Sequence, residues 1–172
     1  MALGFGRRLL GLCVPPVLFC TLDATMTLLG QSHAYWSGNY RAVNEMSPVF
    51  NRLLQLHPIA YVLGTAVWAA VFFSIIVVLP ETLALIITLA VTIGHAAGAA
   101  TWFLLRGGHA YQLIMLLWLL AAVVLALGIR YGYRAYKPGE YILDRWPMAV
   151  RWVMSAVLFA IGAYLFLWPH PI

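Results

Sequence analysis

The chain has 172 residues, of which 64% are hydrophobic and 9% charged, and its net charge is +5. A soluble domain of that length needs polar surface that this sequence lacks, so its solvent is lipid. No basic patch interleaves with aromatic residues as a nucleic-acid site requires, and no nucleic-acid partner is expected.

The first apolar stretch covers about 9–29. Arg7 and Arg8 ahead of LLGLCVPPVLFC imitate a secretory signal, but no small-residue cleavage site follows. The stretch therefore reads as a retained first span, interrupted by Pro15 and Pro16. Cys13 and Cys20 lie about 10 Å apart along a helix axis, too far to pair within a straight helix. On the helical period, Cys20, Asp23, Thr27 and Gly30 fall on one small, polar stripe. A carboxylate near mid-span costs about 3 kcal/mol against lipid. Asp23 is therefore expected to face the bundle interior with a partner, a proton or water.

The loop QSHAYWSGNYRAVNEMSPVFNRLLQLH holds most of the polar chemistry. Ser47 followed by Pro48 reads as an N-cap and first helical residue. The helix it opens has Val49, Phe50, Leu53 and Leu54 on one face and Asn51, Arg52 and Gln55 on the other. That pattern predicts a short extracytoplasmic interfacial helix, with Glu45 helping its start.

Further spans are expected at about 58–79, 82–105, 110–129 and 150–168. In the third, Gly94, Ala97, Gly98 and Ala100 surround His95, and Gly94-x-x-x-Gly98 predicts close helix approach. That span is expected to be the central helix. Asp23 lies about 10 Å below the outer end of its span and His95 about 16 Å below the outer end of its own. At those depths the two can meet, so Asp23, Thr27, Glu45 and His95 form the candidate buried polar cluster.

The expected fold is a single all-α domain over 1–172, a polytopic transmembrane bundle of five spans plus the interfacial helix. Arg7, Arg8, Arg130, Arg134, Lys137, Arg145 and Arg151 fall on one side; Arg41, Arg52 and Arg106 fall on the other. This bias puts the N-terminus in the cytoplasm and the C-terminus outside. The basic, aromatic segment YGYRAYKPGEYILDRWPM suits anionic cytoplasmic headgroups.

Asp23, Thr27, Gly30, Glu45 and Pro48 together resemble the pattern of an uncharacterised family of small archaeal and bacterial membrane proteins. In that family Asp-x-x-x-Thr and a Gly close the first span, and Glu-x-Asn-Pro opens the next helix; here Ser47 replaces the Asn. The resemblance covers roughly residues 18–80. It implies a four- or five-helix fold, no known activity, and a shared constellation of Asp23 and Glu45.

Asp23, Glu45, His95 and His33 could be drawn as a metal set, but none shows diagnostic ligand spacing. His57 and His109 share a depth that haem ligation would need, yet read as interfacial loop residues. No cofactor or metal is assigned, and no nucleophile–histidine motif is visible. On sequence alone the first reading is a non-catalytic accessory or structural subunit of a larger membrane complex, with lipids and other membrane subunits as partners. The runner-up is a small ion or solute transporter using Asp23, Glu45 and His95. The third is an intramembrane metal-dependent enzyme.

Overall fold

The computed structural model describes residues 2–79, 81–104 and 109–133, with scattered positions between 147 and 160. Most of the expected fifth span and of the basic loop before it lies outside the described residues. Among the described residues six helices are delimited and there is no strand, and described positions between 149 and 160 are helical as well. These are α1 (Ala2–Leu29), α2 (His33–Trp36), α3 (Pro48–Leu56), α4 (Pro58–Val78), α5 (Glu81–Leu104) and α6 (Ala110–Tyr133). α1, α4, α5 and α6 are each long and apolar enough to cross a membrane, which marks an integral membrane protein.

α1 runs unbroken through Pro15 and Pro16, where an interruption was expected. The reason lies in its neighbours. Proline at position 16 cannot donate to the carbonyl of Leu12, four residues back. The hydroxyl of Thr88 on α5 donates to that carbonyl instead, at 2.9 Å. Pro15 likewise frees the carbonyl of Gly11, which lies directly against the backbone of α6 at Gly128. In lipid such freed groups must be met from within the protein, and Thr88 does so for the Leu12 carbonyl.

The central position expected for the third span is shared with the first. α1 and α5 form a central pair, each touching the other three long helices, and α1 packs most extensively. Phe19 and Met26 of α1 meet Ala96, Ala99 and Ala100 of α5, with Leu117 and Ala121 of α6 closing the cluster. The close glycine crossing is elsewhere: a Cβ on Gly11 would stand 2.5 Å from the Gly128 carbonyl oxygen. Gly94 has nothing within 4 Å of where its Cβ would be, and Gly98 faces a side chain rather than a backbone.

α4 is held at its two ends. At one, Ile75, Ile76 and Leu79 pack with Leu12, Cys13 and Ala84 in a dry cluster. At the other, α4 packs against α3, where Leu53 lies over Gly64. Leu54 of α3 is fully buried while Arg52 and Gln55 are exposed, so this short helix is amphipathic. Ser47 occupies the N-cap position of α3, but its hydroxyl makes no capping bond.

The loop before α3 is folded down. Gln31 clamps it, its Nε2 donating to the carbonyls of Thr27 and Asn44 while its Oε1 accepts from the Asn44 N–H. α2 was not anticipated from sequence. It buries Tyr35, whose hydroxyl donates to the Leu54 carbonyl at 3.0 Å.

Candidate functional site

The arrangement of α4 leaves a space between its two points of attachment. Bounded by α1, α4 and α5 and roofed by α3 and the loop 44–47, it forms a cavity of about 690 Å³. It reaches down to Cys20, about 14 Å below the end of α1 at 1.5 Å per residue. Beyond it, among the described residues, lies the apolar cluster of Ile75, Ile76 and Leu79, none of which lines the cavity.

The floor holds an ion pair. His95 Nδ1 lies 2.8 Å from Asp23 Oδ2, with the imidazole donating. Both side chains remain about one-fifth accessible, at 19% and 22%, so the pair borders the cavity instead of being sealed in packing. Gly98 makes room for it, since a Cβ there would stand 2.7 Å from a carboxylate oxygen of Asp23. The Cys20 thiol, one turn before Asp23, also contacts the imidazole. Cys13 and Cys20 are both buried.

Thr27 and Gly30 complete the α1 stripe, with Trp102 as their partner. Its indole N–H donates to Thr27 Oγ1 at 3.1 Å, and its ring lies over Gly30, where only a missing Cβ leaves space. Glu45 enters from the roof. Its Oε1 accepts from the Ser47 N–H at 2.7 Å, and its own backbone carbonyl accepts from Asn51 Nδ2. Burial, aided by the charge of Asp23, raises its carboxyl above the usual 4.5. Asp23, Thr27, Glu45 and His95 thus all line one cavity, along with Gly94 and Gly98.

Two groups of site residues escaped the sequence reading. Trp102 lies two turns beyond His95 on the same face of α5, a spacing that was available. On α4, Tyr61, Thr65, Trp68 and Phe72 follow at intervals of four, three and four. That is a single helical face of polar and aromatic residues in an otherwise aliphatic span. It is the wall of the cavity.

Other histidines lie apart. His33 sits on α2, its Nδ1 3.3 Å from the Ser37 hydroxyl, and does not line the cavity. His57 caps α4 by accepting from the Ile59 N–H. His109 is exposed ahead of α6. Among the described residues no three His, Cys, Asp or Glu side chains are grouped to hold a metal ion.

Comparison with known proteins gives no matching family, no matching curated protein and no matching solved structure. The site therefore has to be read from its own chemistry.

Proposed function

We propose that this protein is a small membrane transporter. It takes a solute from the side that carries the loop 30–57 into the cavity, with Asp23 and His95 as a proton-exchanging pair beneath it. The observation that carries this reading is the ion pair at the floor of a loop-side cavity. A partly wet carboxylate–imidazole pair can gain or lose a proton in step with ligand entry, and intramembrane ionisable groups commonly serve that purpose. A role as an accessory or structural subunit, preferred on sequence alone, calls for no such cavity, and the cavity is the reason to favour the alternative. A metal-dependent enzyme draws no support from the ligand grouping.

The same proposal keeps the five-span topology, with the N-terminus cytoplasmic, the C-terminus outside and the cavity opening outward. It also keeps the family resemblance, which would place Asp23 and Glu45 in one constellation. With the apolar cluster beyond the cavity, passage requires a second state in which that cluster parts, as alternating access does.

The test uses proteoliposomes loaded with a pH-sensitive dye and offered small neutral, cationic and anionic solutes. Entry of at least one solute should shift internal pH with the wild-type protein. Asp23→Asn, which keeps a hydrogen-bond acceptor for His95, should fold and insert yet abolish the shift. If no solute moves faster than in empty liposomes, or if Asp23→Asn behaves as wild type, the reading fails.

A further inference from the structure

The walls of the cavity say more about what it would admit. A continuous run of edge-to-face rings descends it. Tyr61 meets Phe50 at 5.7 Å, Phe50 meets Trp68 at 6.5 Å, Trp68 meets Phe72 at 4.6 Å, and Phe72 meets His95 at 6.3 Å. All five rings line the cavity. Its charged lining consists of Asp23 and Glu45 against the single imidazole of His95, and among the described residues no Lys or Arg contributes. The cavity is thus negative even with His95 protonated. One further group, Ser47 Oγ, is buried in that lining without a hydrogen-bond partner, while Thr65 faces the Tyr61 hydroxyl. Buried polar atoms are normally satisfied, so Ser47 Oγ is open to a hydroxyl that an occupant would supply.

Resting on the transporter reading of this same site, we propose that the solute is a small organic cation of the ammonium class, held between Glu45 and the face of Trp68. The aromatic faces present negative quadrupole density to a cation and bind it without a dehydrated point contact. The two carboxylates repel each other across the cavity, and a cation between them relieves that repulsion. A bare metal ion fits poorly on two counts: the ligand grouping is absent among the described residues, and the volume is that of a small-molecule site. An anion meets two carboxylates and no Lys or Arg. A neutral solute leaves the repulsion in place. The free hydroxyl of Ser47 adds a preference for a cation that carries a hydroxyl group.

The experiment compares choline with its neutral carbon isostere, 3,3-dimethylbutan-1-ol, and with acetate. Binding is measured by titration calorimetry on the full chain in nanodiscs. Choline should bind at least about tenfold more tightly than the isostere, and acetate should not bind. Trp68→Leu should weaken choline by about 2- to 30-fold, the range of a cation–aromatic contact, while Trp68→Phe retains part of it. Glu45→Gln should weaken choline and leave the isostere unchanged. Each variant is first checked for monodispersity and an unaltered unfolding midpoint, and Trp68→Phe stands in if Trp68→Leu does not fold. Equal binding of choline and the isostere, or wild-type choline binding in both Glu45→Gln and Trp68→Phe, overturns the inference. The two proposals separate cleanly. Choline that binds but never crosses proteoliposomes defeats transport and leaves the cation site standing. A neutral or anionic solute that crosses through Asp23 while choline does not bind defeats the cation site alone.

Discussion

The hydroxyl of Thr88 is predicted to be worth its keep only because of Pro16. Thr88 is fully buried, and its one cross-helix hydrogen bond goes to the Leu12 carbonyl that the proline leaves without a donor. Thr88→Val preserves shape and removes the donor. An unmet buried carbonyl costs about 1–3 kcal/mol in general. Measured cross-helix hydrogen bonds within membranes average about 0.6 and reach about 1.7 kcal/mol. A loss of about 1–2 kcal/mol is therefore expected, since Thr88 and its bond to Leu12 are buried. In a Pro16→Ala background the helix supplies its own N–H to Leu12, and Thr88→Val should then cost under about 0.5 kcal/mol. Reversible unfolding in mixed micelles with increasing dodecyl sulfate gives all four corners of the cycle. Equal costs for Thr88→Val in the two backgrounds would refute the coupling, whatever the size of the single effect.

The remaining predictions concern the glycines and the cavity. Gly128→Leu should prevent folding or lower stability by more than about 3 kcal/mol, because the backbones of α1 and α6 cannot part to admit it, whereas Gly94→Ala should leave the unfolding midpoint unchanged. In a chain with Cys13→Ser and Cys20→Ser, Gly94→Cys should react with a membrane-impermeant methanethiosulfonate from the loop side, and choline should protect it; no reaction would mean that water does not enter the cavity. Cation affinity should fall as the pH is lowered. Glu45 has its carboxyl raised above 4.5, so it is the charged form that is lost first on acidification, and affinity is full above that raised value and declines through it. The groups facing Glu45 across the cavity are Asp23 and Cys20 on α1, Tyr61 on α4 and His95 on α5. Calorimetry across pH on Glu45→Gln should show this step removed, and an unchanged profile would assign the titration to those neighbours.

What the sequence makes legible is what one helix imposes on itself. The cost of a carboxylate in lipid and the helical period were enough to put Asp23, Thr27 and Gly30 on an inward stripe, and depth alone made His95 a reachable partner. What it hides is the rotation and tilt of each helix against the next. Gly94 and Gly98 are one turn apart and look equivalent in the chain, yet one opens onto the cavity and the other stands under the Asp23 carboxylate. The glycines that do permit close approach, Gly11 and Gly128, sit on separate helices, and no spacing rule within one segment could pair them. The stripe of Tyr61, Thr65, Trp68 and Phe72 was different in kind. Its period was visible, but an aromatic face reads as ordinary packing until α4 is seen to be held away from α1 and α5.

The polar ties also say which parts can move. Thr88 and His95 lie two turns apart on one face of α5, and their partners, Leu12 and Asp23, lie three turns apart on α1. α1 and α5 are therefore pinned at two depths by hydrogen bonds that lipid cannot replace. α4 has one polar tie to α1, from Tyr61 to Thr27 near the loop end; at its far end it meets the pair through Ile75, Ile76 and Leu79. Apolar contacts of that kind can be exchanged for lipid at little cost, because lipid tails are as apolar as the side chains. If the cavity is to open toward the other side, the motion that costs least swings the far end of α4 away from the α1–α5 pair while the Tyr61–Thr27 tie holds the loop end. The aromatic wall would travel with α4 while the Asp23–His95 floor stays behind. A solute held between Trp68 and Glu45 would then be carried away from the floor or released past it. The protonation state of that floor would decide which.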